Sequence, residues 1–169
     1  DCQTALERMV AGEQYSFGRN DLLKVVGKSI ELPSGFRLNY WNLRKQPKLD
    51  KNGQQEFTPS NRPKMEFVYD KKNERTGRTE TVKVYGAKVA ENITQALAGS
   101  IVRHQWGLIR KQFKIVGHVY DELIALVPAY KEKEGIEFVT HCMKQVPAWA
   151  EGVPVDCEVG SGLTYGDAK

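Results

Sequence analysis

Two adjacent acids, Asp121 and Glu122, stand between the short apolar runs of IVGHVYDELIALVP, residues 115–128. Apolar runs of this length predict buried strands, and the acid pair falls where a tight hairpin turns. Desolvating a carboxylate is costly unless it is paired or bound to a cation. A buried hairpin tipped by two acids therefore points to a cation site. Mg²⁺ suits such a site, because this hard ion takes oxygen ligands and usually keeps waters and substrate phosphates too. In phosphoryl transfer two such ions, about 3.5–4 Å apart, clamp the attacking and leaving oxygens. One hairpin cannot hold both, so at least one more carboxylate must come from elsewhere. Taken alone, an Asp-Glu pair also fits an ordinary exposed turn.

A second pattern lies upstream in VYGAKVAENITQALA, residues 84–98. Lys88, Glu91, Asn92, Gln95 and Gly99 recur at helical spacing among Ala and Ile. Asn and Gln are not favoured there by helix propensity alone. Their carboxamides suit sugar oxygens and minor-groove base acceptors. The ordinary alternative is a helix whose polar side faces water.

Charge is distributed unevenly. Residues 1–36 carry 4 basic and 5 acidic side chains, residues 37–114 carry 17 and 7, and residues 115–169 carry 4 and 9. The net charge of +4 thus conceals segments of −1, +10 and −5. A basic middle followed by an acidic end fits a polyanion held near a cation-binding carboxylate, although charge runs also form plain solvated faces.

The elements that must position these residues can be read from periodicity. Residues 4–11 predict the end of a helix stopped by Gly12. Residues 21–28 are ambiguous, with Asp21 a possible N-cap for a short helix. Two β-prone runs flank the Pro33-Ser34-Gly35 turn, and the polar segment 45–63 reads as a loop. Residues 65–69 and 80–85 predict two strands joined through Gly77. From 87 to 113 a long helix is expected, with Val89, Ile93, Ala96, Leu97, Ile101, His104 and Leu108 on one apolar face. After the acid-tipped hairpin, residues 131–144 predict an amphipathic helix and 153–159 a final strand. The order suggests an α+β fold.

Other chemistry is poorly supported. Cys2, Cys142 and Cys157 are odd in number and widely spaced, which favours reduced thiols over a disulfide framework or zinc ribbon. His104, His118 and His141 lack HExxH or another close ligand spacing. The longest apolar runs are too short to span a bilayer, and the first residues do not form a signal peptide, so a cytoplasmic location is expected. The missing initiator Met suggests processing or a piece of a longer chain. An apolar share of 40% leaves room for surface shared with a partner.

The two chemical patterns acquire a joint meaning from a resemblance. YGAKVAENITQALA, followed by an apolar hairpin bearing Tyr120-Asp121-Glu122, resembles the C-terminal part of family A DNA polymerases of the phage and bacterial branch. Corresponding segments there read like YGGKLVENITQA and VHDE. Residues 32–40, LPSGFRLNY, are similar to that branch's LPSGRxLxY, and residues 147–154, PAWAEGVP, to its PxWAxGLP. The similarity runs from about residue 3 to 165.

The resemblance implies that Asp121 is the motif C aspartate that helps hold catalytic Mg²⁺, with Glu122 the weaker neighbouring acid. It implies that Gln95 lies against primer-template DNA, with Glu91 and Asn92 in the same motif and Lys88 able to reach phosphate. Residues 86–169 would form a C-terminal palm segment, and residues 1–85 the end of the fingers and a β insert. Tyr120 departs from the usual His before the aspartate, at a position that faces the primer terminus in the family. His118 points to the same strand face but is read as an ordinary strand histidine.

A larger departure is that the chain has no DYSQIE-like motif A and no RxxxKxxxFGxxYG-like fingers helix. It holds one of two catalytic aspartates. The expectation is therefore a split DNA-directed polymerase. A second chain would supply motif A, fingers and thumb, and dNTP and primer-template DNA would be the substrates. The alternative from another class is a non-catalytic DNA-binding or interaction subunit derived from a polymerase.

Overall fold

The computed structural model describes residues 1–168. It comprises two compact units, Asp1–Gln95 and Ala96–Lys169, which divide within a long helix. The sequence boundary at 85/86 instead marks the start of that helix, Gly86–Ile109.

The first unit begins with α1 (Cys2–Ala11), which buries Ala5, Leu6 and Met9. Gly12 ends it as the sequence predicts, adopting φ +75° while the Glu13 amide bonds back to the Arg8 carbonyl at 2.9 Å. Strands β1 (Tyr15–Phe17), β2 (Leu23–Val26), β3 (Ser29–Glu31) and β4 (Arg37–Asn39) follow as an antiparallel meander in chain order. The ambiguous segment 21–28 holds a strand at its centre rather than a helix. A short 3-10 turn, Arg19–Asp21, precedes β2, whose alternation buries Leu23 and Val25 while Lys24 and Val26 face out. Pro33-Ser34-Gly35 makes the expected turn. Gly35 has φ +79°, and its amide reaches the Leu32 carbonyl at 2.8 Å.

A second antiparallel sheet has the order β5 (Arg44–Pro47), β6 (Met65–Lys72), β7 (Thr79–Val84). This corrects the reading of 45–63 as loop. Arg44-Lys45-Gln46-Pro47 shows no apolar alternation, yet it pairs with Val68 to Met65, which supply the hydrogen bonds its own sequence does not advertise. The polar residues beyond it form two tight turns with bridges at Leu49–Gln55 and Phe57–Pro63. Asp50 accepts the Asn52 and Gln54 amides at 2.8 and 2.9 Å, and Thr58 Oγ1 accepts the Arg62 amide at 3.1 Å. Phe67, Val68 and Val84 bury the middle of this sheet, and Val89 and Ile93 are buried on the first turns of α2 (Gly86–Ile109).

The second unit contains the rest of α2, the hairpin β8 (Lys114–Val119) and β9 (Glu122–Leu126), and α3 (Glu132–Met143). Its core is Ile109, Phe113 and Cys142, packed with Ile115, Leu123, Ala125, Phe138 and Met143. Phe113 meets Phe138 edge to face at 5.7 Å. Two expectations fail here. Along the second half of α2 the buried residues are Ser100, Gln105 and Ile109, while Ile101 and His104 are only half-buried; Leu108 packs on the core as expected. Gln105 is drawn inward because its carboxamide donates to the Met143 and Gln145 carbonyls that α3 leaves free at its end. Residues 153–159 form no strand, since no described strand pairs with them. Lys144 instead pairs with Asp156 at 2.9 Å.

Candidate functional site

The hairpin turns on two residues, Tyr120 and Asp121, with Val119 and Glu122 the last cross-strand pair. Tight two-residue turns match strand twist when the first residue takes positive φ, a conformation glycine adopts freely. Here that residue is Tyr120, at φ +54° and 91% exposed. A non-glycine residue held there costs on the order of 1–2 kcal/mol. The His118 ring contributes to holding it: Nε2 lies 2.6 Å from the Tyr120 carbonyl oxygen. That ring also packs near Trp106, 5.6 Å between centroids. His118 is thus neither buried nor unoccupied; it braces the turn.

Asp121 is exposed at the tip, and Glu122 is half-buried as the first residue of β9. The Tyr165 hydroxyl donates to Glu122 Oε2 at 2.9 Å. The hairpin is less buried than its apolar sequence predicts. Ile115, Leu123 and Ala125 pack on the helical core, whereas the opposite face carries Leu126, 55% exposed, and Val119, 47% exposed. Between Ile115 and Gly117 the register shifts, leaving Val116 as a bulge residue that is half exposed.

Among the described residues no group of three or more His, Cys, Asp or Glu is placed to hold a metal ion. Asp121 offers one unengaged, solvent-facing carboxylate, and Glu122 is engaged with Tyr165. This donor set fits a Mg²⁺ ion that takes most ligands from phosphates, water and further carboxylates. It does not fit an ion held by this chain alone.

The helix residues fall into two groups. Lys88 pairs with Glu91 at 2.8 Å, and Gln95 Nε2 lies 3.4 Å from the same Glu91 oxygen. Their i, i+3, i+7 spacing puts the three on one exposed stripe, where the Glu91 hydrogen bond raises the Lys88 pKa. Asn92 belongs to the other group: its side chain donates to the Tyr40 hydroxyl at 3.2 Å. Lys88, Glu91, Asn92 and Gln95 lie in the first unit and Tyr120, Asp121 and Glu122 in the second.

Sequence reasoning missed Arg44, Asp70 and Thr81. Asp70 accepts from Asn42 at 2.8 Å, Thr81 at 2.8 Å and Arg44 at 3.1 Å, and these bonds lower its pKa. Only the β5–β6–β7 pairing reveals them as neighbours, because they lie on three separate strands.

Comparison with known proteins bears on what the chain is. It is 32% identical over 134 residues to the DNA polymerase of Bacillus phage SP02, a match covering 76% of this chain and 18% of that protein. The chain is related to a phage DNA polymerase and spans less than a fifth of that relative's length. No protein-family model and no solved structure matches it. Among the described residues no helix is long and apolar enough to cross a membrane.

Proposed function

We propose that this chain is the C-terminal palm segment of a split, family A DNA polymerase, with Asp121 its motif C carboxylate. The observation that carries this reading is the exposed Asp121 at the tip of a two-residue hairpin, in a chain related to a phage DNA polymerase. Motif A, fingers and thumb segments are not among these 169 residues, and a working site needs them. The hairpin itself supports a missing neighbour. A two-stranded sheet is marginal in water, and this one has an outer apolar face formed by Val119, Ile124 and Leu126. A strand from the motif A segment would pair with an open edge of the hairpin, and further polypeptide packed on that face would cover its apolar side chains.

Bound Mg²⁺ would lower the charge barrier to attack of a primer 3′-hydroxyl on the α-phosphate of a dNTP. Asp121 fixes position for that ion, and its exposure leaves both oxygens free to do so. Glu122, shared with Tyr165, orients the start of β9 and serves as the secondary acid. Tyr120 presents its hydroxyl at the turn toward the primer end. Gln95, Lys88 and Glu91 form the stripe that meets primer-template DNA, and Asn92 supports it from the Tyr40 side.

The test is reconstitution. Native mass measurement should find a stoichiometric larger chain with a motif A segment, and the pair should extend a primer. Asp121→Asn should abolish extension while leaving assembly and DNA binding intact. Extension by the variant pair at the wild-type rate removes Asp121 from the metal site. A chain that binds DNA but assembles with no such partner is the non-catalytic binding subunit instead.

A further inference from the structure

The basic sheet β5–β7 has no part in the chemistry above, yet it carries a built cleft. Residues Leu38 to Trp41 and the adjoining β6 segment Tyr69 to Lys72, joined by the Asp70 amide to the Trp41 carbonyl at 2.8 Å, line an open cleft of about 340 Å³ that also reaches Asn92. Its floor is aromatic. Tyr40, 2% exposed, meets Tyr69 edge to face with ring centroids 5.2 Å apart, and Asn92 holds the Tyr40 hydroxyl. At the rim stands Trp41, 69% exposed despite a large apolar ring system that most folds cover.

Within the lining of this cleft two lysines stand against a single acid. Lys71 and Lys72 line it, and among the described residues neither has a carboxylate partner. Glu80, across the ladder from Lys71, is engaged by Asn73 at 2.8 Å. The single acid of the lining, Asp70, is already matched by Arg44, Asn42 and Thr81. Beyond the cleft the β6–β7 turn adds Arg75 and Arg78, again without carboxylate partners among the described residues.

An exposed indole beside unmatched lysines is the chemistry that receives a single nucleic-acid strand: an aromatic face for a base and cations for phosphates. A duplex keeps its base faces stacked inside except at its ends, so along its length it offers none to Trp41. An apolar protein segment would leave the lysines without counter-charges.

We propose that this cleft binds an unpaired nucleotide of single-stranded DNA, its base on Trp41 and its flanking phosphates on Lys71 and Lys72. Arg75 and Arg78 continue the path for the strand. The site sits on the β insert and does not require Asp121, so it stands or falls separately from the polymerase reading.

Fluorescence anisotropy of a labelled thymidine oligonucleotide with the intact chain tests it. The single strand should bind more tightly than a blunt duplex of the same length. Trp41→Ala should weaken single-strand binding about tenfold or more, and Trp41→Phe should restore much of the loss. The double variant Lys71→Gln/Lys72→Gln should lower the slope of log affinity against log salt by about 1.4, at about 0.7 per phosphate contact. Single-strand binding unaffected by Trp41→Ala, or an unchanged salt slope in the lysine variant, would each overturn the proposal. If Trp41→Ala fails to fold, the lysine variant decides through its salt slope.

Discussion

Asn92 Nδ2 donates to the hydroxyl of Tyr40 at 3.2 Å, joining residues 52 positions apart. The bond connects the end of the LPSGFRLNY segment to the AENITQ helix, two stretches whose sequences carry no sign of contact. It also makes Tyr40 a reporter of the first unit. Burial raises the Tyr40 pKa, and the donated bond from Asn92 works against that rise.

The sign of the pH effect follows. A proton held more tightly in the folded chain contributes fully below the ordinary tyrosine value of about 10 and is lost as pH rises through the folded value. Tyr40→Phe should flatten the alkaline limb of stability. At neutral pH it should cost about 1 kcal/mol, because the Asn92 amide loses its acceptor. Urea unfolding of the two proteins across neutral to alkaline pH measures both effects.

Asp70 behaves in the opposite sense. Its pKa is lowered by Asn42, Thr81 and Arg44, so its contribution is present above the unfolded carboxylate value of about 3.9 and is lost as pH falls through the lower folded value. Asp70→Asn should make acid unfolding shallower over that range and leave the alkaline limb alone. Circular dichroism during acid titration gives the comparison.

Tyr120→Gly should raise stability by about 0.5–1 kcal/mol. The positive φ costs a tyrosine about 1–2 kcal/mol, and glycine's freer unfolded chain returns part of that. No packing is lost, since the side chain is 91% exposed. In the reconstituted polymerase the same variant should use primer ends less well. Higher stability with reduced extension would identify Tyr120 as a residue kept strained for its contact with DNA; a variant no more stable than wild type would sink the strain argument.

Gly135→Ala should destabilise the second unit although alanine is the better helix former by about 1 kcal/mol. A Cβ at Gly135 would lie 2.6 Å from Val127 Cγ1 and 3.0 Å from Cγ2, and a β-branched side chain has little room to rotate away. Overpacking of this kind costs about 1–3 kcal/mol. Thermal melts of Gly135→Ala with and without Val127→Ala should show the second substitution recovering part of the loss.

Some of this was legible in the chain. The Gly12 stop, the Pro33-Ser34-Gly35 turn and a tight hairpin turn close to Asp121 are local events, set by residues within a few positions of one another. The β5 strand, the Arg44–Asp70–Thr81 cluster and the inward turn of Gln105 were not legible, because each depends on a partner distant in sequence. The final strand expected at 153–159 failed for the same reason: alternation offers a strand, but only a neighbour with free hydrogen-bonding groups makes one.

The amino-acid order by itself determined where most turns fall, which stretches are helical, and that a tight hairpin turns near Asp121. The expected acid-pair tip is instead Tyr120-Asp121, because Glu122 pairs with Val119 as the first residue of β9. Tertiary structure decided what each polar group does. It left Asp121 free while Tyr165 took Glu122, turned Asn92 from the exposed stripe to Tyr40, and placed an exposed Trp41 beside two unmatched lysines. Turns and helices follow from local backbone sterics and short-range hydrogen bonds, whereas the availability of a charge or an aromatic face depends on which distant groups the fold brings against it.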